Sequence, residues 1–349
     1  MMLVACQSTP LESSTGHHAT VHWDPAERRL CGGTLAYIDS SLEVVAAHYG
    51  VDLPAEPALE IFWIADEKLD SAVCGGHAGG CAVPWPNGTS LMFSDNVIDP
   101  HELTHTIRLT GTNLALPTFF NEGVASRWEN GWSDSWTGKD NYVGDLDYPW
   151  LLEKLRGGRL DSDAYFIANF FWSWLEAEHG ADRMADFAAQ LGPLSSIGTI
   201  ERAFEQTFGL SLEQAVEASR GQPMYMFDIH ACAMHDLPTL TWSGETLTLS
   251  NGPGDCSDSD VVNFLAGGAT RSVRVELAPG NYEFVVEGGP GNLRIDNCYG
   301  VARPHELARI FSEPQSAQAF LGGEYIVTAI ASIEPDGSVN FPVARLEQP

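Results

Sequence analysis

The chain has 349 residues, 44% of them hydrophobic and 19% charged, which is enough length for two domains and enough apolar content for a sizeable core. Forty-seven acidic residues face only 18 basic ones, a formal net charge of -29. Such a surface repels phosphate backbones and anionic lipid heads, which excludes nucleic acid as a partner, and no run of apolar residues is long enough to span a membrane.

The first residues, Leu3-Val4-Ala5-Cys6, read like the lipobox of a bacterial lipoprotein, in which the cysteine is acylated. That reading makes the protein extracytoplasmic, either a cell-surface or periplasmic lipoprotein or a secreted protein, with a lipid anchor at Cys6 as its one membrane contact. Residues 1–22 are expected to form this N-terminus and a flexible tether, because the Ser/Thr-rich stretch 7–21 has no periodicity. His17 and His18 within it read as solvated tail histidines. Six further cysteines suffice for three disulfides in an oxidising compartment, and none is spaced as C-x-x-C. Cys74 and Cys81 flank a Gly-rich loop, and Cys256 and Cys298 share a β-rich region, which by elimination leaves Cys31 to Cys232.

Apolar residues recur at helical spacing over 33–49, and the run 58–65 is rich in β formers. A second strand is predicted at 89–94, after the Asn87-Gly88 turn. Asp99-Pro100 then opens a helix, with Asp at the N-cap and Pro where its missing N–H costs nothing, and Gly111 ends it. A second helix runs from Pro117 to about Asn130, and others are predicted at 147–156, 162–179, 181–191, 197–208 and 211–219. Ser211 and Gln214 have the capping-box spacing.

Beyond about residue 225 the pattern changes to short β runs at 240–249, 272–277, 282–286 and 324–330, punctuated by Gly, Pro, Asn and Asp. The predicted fold class is α+β: a first domain over 23–225, with a small N-terminal sheet and then mainly helices, followed by an antiparallel β-sandwich over 238–349. The acidic stretch Asp255–Asp260 could hold a structural Ca2+, although an acidic loop is its commoner meaning.

His101-Glu102-Leu103-Thr104-His105 is an H-E-x-x-H motif. Residues four apart share one face of a helix, so both imidazoles can bind one ion, and Glu102 beside them can take a proton from a water. Sixteen residues separate His105 from Glu122, which follows Phe119, Phe120 and Asn121. A carboxylate buried there needs a cationic partner, which a zinc ion would supply. Asn121 and Gly123 would let this helix pack closely on the first.

His101–His105 followed by Asn121-Glu122-Gly123-Val124-Ala125 resembles the peptidase MA-like gluzincins, the group that contains thermolysin-like and aminopeptidase N-like enzymes. The resemblance implies a zincin-like domain with one Zn2+ per chain held by His101, His105 and Glu122, and Glu102 as general base. The stretch Asp163–Phe171 is similar to the tyrosine-led helix of aminopeptidase-like members. By that resemblance Tyr165 steadies the oxyanion; a core tyrosine is the alternative reading. There are departures from the family pattern. Ser126 stands where thermolysin-like members carry a carboxylate that orients a ligand histidine, and no G-x-M-E-N exopeptidase strand occurs.

The function expected is therefore a zinc-dependent peptidase that hydrolyses peptide bonds of a peptide or protein substrate. Strand 89–94, just before the metal helix, could accept an extended peptide by strand addition, which favours an endopeptidase. One alternative is a surface binding protein whose zinc domain is a scaffold and whose β-sandwich recognises glycan or protein. A hydrolase of non-peptide amides or esters is another. Intact Glu102 favours an enzyme, because a scaffold needs ligands but no base.

Overall fold

The computed structural model describes residues 10–64, 74, 79–84, 89–107, 116–128, 146–157, 160–220, 222, 237–241, 246–264, 267–287, 291–298, 308–311, 315–320 and 323–347. Cys6, Gly111 and Cys232 lie outside them. The architecture is mixed, with eight helices among the described residues and three sheets.

The first sheet has the order β1 (Glu12–Thr15), β2 (Ala19–Trp23), β3 (Leu59–Trp63), β5 (Ser90–Ser94), β4 (Gly80–Pro84). Its three central strands are parallel, and β1 and β4 join the two edges antiparallel. Ala19, Val21 and Trp23 line up with Leu59, Ile61 and Trp63 and with Met92 on one buried face. Here the structure corrects the expected tether. The alternation of Ala19, Val21 and Trp23 buries every second side chain, and that period outweighs the polar composition before it. A second correction concerns β5. It lies between β3 and β4 with both edges paired, so it has no edge to offer a peptide; β4 is the edge strand instead.

Helix α1 (Thr34–His48) packs on β2. Helix α2 (Pro100–Thr106) starts at the Asp99 cap but is shorter than its pattern suggests, because Ile107 already has extended backbone. Then follow α3 (Thr118–Trp128), α4 (Tyr148–Leu155), α5 (Ser162–His179), α6 (Ala181–Ala189), α7 (Ile197–Phe208) and α8 (Leu212–Ser219). The Ser211–Gln214 capping box forms, each side chain bonding the other's backbone N–H. Phe119, Phe120, Phe171, Phe187 and Phe204 are all buried in the core these helices share with the sheet. No helix among the described residues is long and apolar enough to cross a membrane.

The remaining strands are β6 (Thr239–Thr241), β7 (Thr246–Asp255), β8 (Val262–Phe264), β9 (Gly268–Leu277), β10 (Gly280–Glu287), β11 (Gly291–Asn297), β12 (Ala308–Phe311), β13 (Gln315–Phe320), β14 (Gly323–Ser332) and β15 (Ser338–Glu347). One sheet runs β13-β10-β15-β7 and the other β12-β11-β14-β9-β6, with β8 also on β9. Tyr282 and Phe341 of the first sheet share a core with Val275, Leu293 and Val327 of the second. The pairing is antiparallel except for β6 with β9, and the run read as one strand at 240–249 contributes to both sheets.

The disulfides correct two of three expected pairings. Cys74 bonds Cys81 as expected, but Cys31 bonds Cys256 rather than Cys232. Cys298 is disulfide-bonded as well, to a partner outside the described residues. The reason for the first exchange lies in the loop before α1, which runs along the turn after β7. Gly32 N donates to Cys256 O at 2.7 Å and Gly33 N to Val261 O at 2.9 Å. The Asn263 side chain accepts from Cys31 N and from Thr34 Oγ1, both at 2.8 Å. The acidic stretch beside it is held by a guanidinium: Arg271 pairs with Asp258 at 3.1 Å and with Asp260 at 2.9 Å. No metal-type cluster among the described residues includes any of residues 255–260.

Candidate metal centre

Two short helices bring the site together. Asp99 caps α2 by accepting from Glu102 N at 3.1 Å, and this fixes the first turn on which His101 and Glu102 sit. His105 stands one turn further along the same face. Helix α3 crosses α2 and presents Glu122. His101 Nε2 lies 3.1 Å from Glu122 Oε2 and 3.1 Å from His105 Nε2, and His105 Nε2 lies 3.3 Å from Glu122 Oε2. Two imidazole nitrogens this close need a proton or a cation between them.

The triangle fits a metal ion. Ligand atoms about 2.0–2.1 Å from a tetrahedral zinc stand about 3.3 Å apart. Two imidazoles and a carboxylate are also a zinc-type donor set, and all three side chains are mostly buried. Burial raises the Glu122 carboxyl pKa, but hydrogen bonds and charge from His101 and His105 outweigh it and hold the group well below the usual carboxylate range. The group is therefore anionic, the form in which a carboxylate binds a metal.

His101 and His105 have their own partners. The Asn121 carboxamide approaches His105 Nδ1 at 2.9 Å, and Ser126 Oγ stands 3.5 Å from His101 Nδ1. The amide atom nearest Nδ1 is Nδ2; flipping the carboxamide, which exchanges its oxygen and nitrogen, lets Oδ1 accept the Nδ1–H and leaves Nε2 free to bind a metal. Asn121 thus reaches α2 through a hydrogen bond. Gly123, expected to ease the same crossing, faces α5 instead.

Glu102 differs from Glu122. Its carboxyl is buried, and Oε2 has no hydrogen-bond partner among the described residues. Burial is the main influence on it and pushes its pKa up, against the lowering pull of His105 and His101. Its stem packs on the edge strand, where a Cβ at Gly80 of β4 would lie 3.0 Å from Glu102 Cγ. Tyr165, on the first turn of α5, is half-buried, with its ring centroid 6.0 Å from that of His101. His179 lies at the far end of α5 against Phe208.

A buried network behind the site has no motif to announce it. Arg127 Nη2 donates to Glu176 Oε1 at 2.7 Å, His48 Nε2 lies 2.9 Å from the same oxygen, and Tyr49 OH donates to Glu176 Oε2 at 2.8 Å. Trp128 and Trp172 both donate to Tyr49 OH. The network joins the end of α1 to the last turn of α3 and to α5, and so fixes the angle at which α3 offers Glu122. Burial raises the Glu176 pKa, but Arg127 and His48 bring it down to about 2.

No family model and no curated protein matches the sequence. Among solved structures, the chain is similar to an M1 zinc metallopeptidase from Deinococcus radiodurans. The identity is 18% over 61% of this chain and 53% of that one, with a TM-score of 0.36. Legionella pneumophila aminopeptidase A in complex with aspartic acid is 9% identical over 91% of this chain and 35% of that one, with a TM-score of 0.40. The chain therefore spans about half the length of the first and about a third of the second.

Proposed function

We propose that this chain is a zinc-dependent peptidase whose metal is held by His101, His105 and Glu122. The observation that carries the reading is the triangle of donor atoms with sides of 3.1, 3.1 and 3.3 Å, beside a buried carboxyl that has a free oxygen. A zinc ion held there would supply Lewis acidity, lowering the pKa of a bound water and polarising the scissile carbonyl. Glu102, buried with Oε2 unengaged, takes the water's proton and returns it to the leaving amine. The Tyr165 hydroxyl donates to the developing oxyanion. The substrate backbone adds to β4, the edge strand beside Glu102 among the described residues, as an extended strand. Reading backbone in this way suits an endopeptidase.

The disulfides support an oxidising, extracytoplasmic location, and the lipid anchor at Cys6 belongs to the same proposal. A binding-only scaffold has no use for a carboxylate at position 102, buried without a partner at real energetic cost. The test uses Glu102→Gln, with zinc content and hydrolysis of an unstructured protein measured on one preparation. The variant is expected to keep its zinc and to lose turnover by roughly 10²–10⁴-fold, the usual worth of a general base. Full turnover by a zinc-loaded Glu102→Gln would overturn the mechanism. A zinc-loaded native chain that cleaves nothing would favour the binding protein.

A further inference from the structure

One other group among the described residues brings three metal-ligand atoms within 4.8 Å of one another: His17, His18 and Glu43. The residues that seemed tail histidines sit in the β1–β2 turn, pressed against α1. Glu43 Oε1 lies 3.1 Å from His18 Nε2 and 3.7 Å from His17 Nδ1, and the two ring centroids are 4.2 Å apart. We infer that these atoms form a second metal site for a first-row divalent transition ion such as zinc, nickel or copper.

The turn is built, not loose. Asp39, one helical turn before Glu43, accepts the backbone N–H of His17 at 2.6 Å through one carboxylate oxygen. The other oxygen accepts that of His18 at 2.8 Å. That grip requires Gly16, since a Cβ there would fall 2.4 Å from Asp39 Oδ2. His18 O is bonded in turn by the N–H groups of Ala58 and Leu59 at the start of β3. Both imidazoles are thereby aimed at the carboxylate that α1 presents.

The exposures suit an ion with open positions. The His18 side chain is 10% exposed while His17 and Glu43 are 67% and 53% exposed, so water can complete the coordination. His18 Nδ1 is sealed in without a partner, which leaves Nε2, facing Glu43, as its one polar outlet. Two imidazoles and one carboxylate select borderline transition ions over calcium or magnesium, which prefer all-oxygen sets. The exposed His17 ring can swing to close the widest spacing. An ion bound here clips the β1–β2 turn to α1, at the sheet edge opposite β4 and Glu102.

The test counts zinc on the full chain. Chelator-stripped protein is titrated with Zn2+ alone, and bound metal is measured by mass spectrometry after desalting. The native chain is expected to hold two equivalents, and His17→Ala and Glu43→Gln one each, with the metal-free melting temperature unchanged. Glu122→Ala is expected to keep the equivalent that depends on His17. Cu2+ added to a variant lacking the first centre (His101→Ala, His105→Ala, Glu122→Ala) is expected to show coupling to two imidazole nitrogens by electron paramagnetic resonance, falling to one in the additional His17→Ala variant. The inference is overturned if His17→Ala or Glu43→Gln retains the native zinc count, or if Glu122→Ala binds none. Because the readout is metal and not hydrolysis, it stands or falls independently of the peptidase reading.

Discussion

A Cβ on Gly123 would lie 2.7 Å from the carbonyl oxygen of Ala168, so the helix that carries Glu122 and the helix that carries Tyr165 meet where one has no side chain. The neighbour is backbone and cannot turn away. Gly123→Ala should therefore push α3 off α5 and move Glu122 away from His101 and His105. Overpacking of this kind costs about 1–3 kcal/mol. Denaturant unfolding is expected to register that loss, together with lower zinc occupancy. Native stability and full occupancy in Gly123→Ala would mean the contact relaxes without reaching the site.

The Arg127–Glu176 pair should make stability depend on acid. Glu176 ionises at about 2 in the folded chain, against 4.5 for the free side chain. A depressed carboxylate stabilises the fold above its unfolded pKa, and that contribution is lost as pH falls through the folded one. The contribution, on the order of 3 kcal/mol for this buried group, is expected to fade between about pH 4.5 and pH 2. Comparing Glu176→Gln with the native chain across that window isolates it. The native chain should lose stability more steeply, and equal slopes would contradict the network's role.

How much of this could be read from the sequence depends on distance along the chain. Asp99-Pro100, the two histidines four apart and the Ser211 box act within a turn or two of helix, so their spacing alone carries their geometry. Glu122 was legible because it follows closely, in a second helix with its own apolar face. The Cys31–Cys256 bond was not, because it depends on how a loop lies along a turn 225 residues away. The place of β4 at the sheet edge depends on strand order, which no local pattern encodes. His17 and His18 read as tail residues because the groups that give them a fixed direction, Asp39 and Glu43 among them, lie on other elements. Arg127 and Glu176 were silent for the same reason: each resembles an ordinary helix charge until the two helices are laid together.

Asn121 should set the affinity of the proposed centre through His105. Partners that orient a ligand histidine are typically worth 10–100-fold in metal affinity. Asn121→Ala is expected to weaken zinc binding by about that factor in competition with a fluorescent chelator. Unchanged affinity would show that the hydrogen bond at Nδ1 plays no part in orienting the ring.

Tyr165→Phe separates an oxyanion donor from a core tyrosine. If the hydroxyl acts in the transition state, kcat should fall by roughly 10²–10³ with KM nearly unchanged and zinc retained. A tyrosine that only packs beside His101 predicts a lower melting temperature and near-normal kcat. Measuring zinc, melting temperature and kcat on one preparation distinguishes the two.

The most direct test of the proposed centre is anomalous scattering at the zinc absorption edge from crystals of the full chain grown with Zn2+. A peak is expected about 2.0–2.1 Å from each of His101 Nε2, His105 Nε2 and Glu122 Oε2, with a water or substrate atom completing a tetrahedron. No peak among those three atoms, or a zinc there held by a different set of side chains, would contradict the assignment.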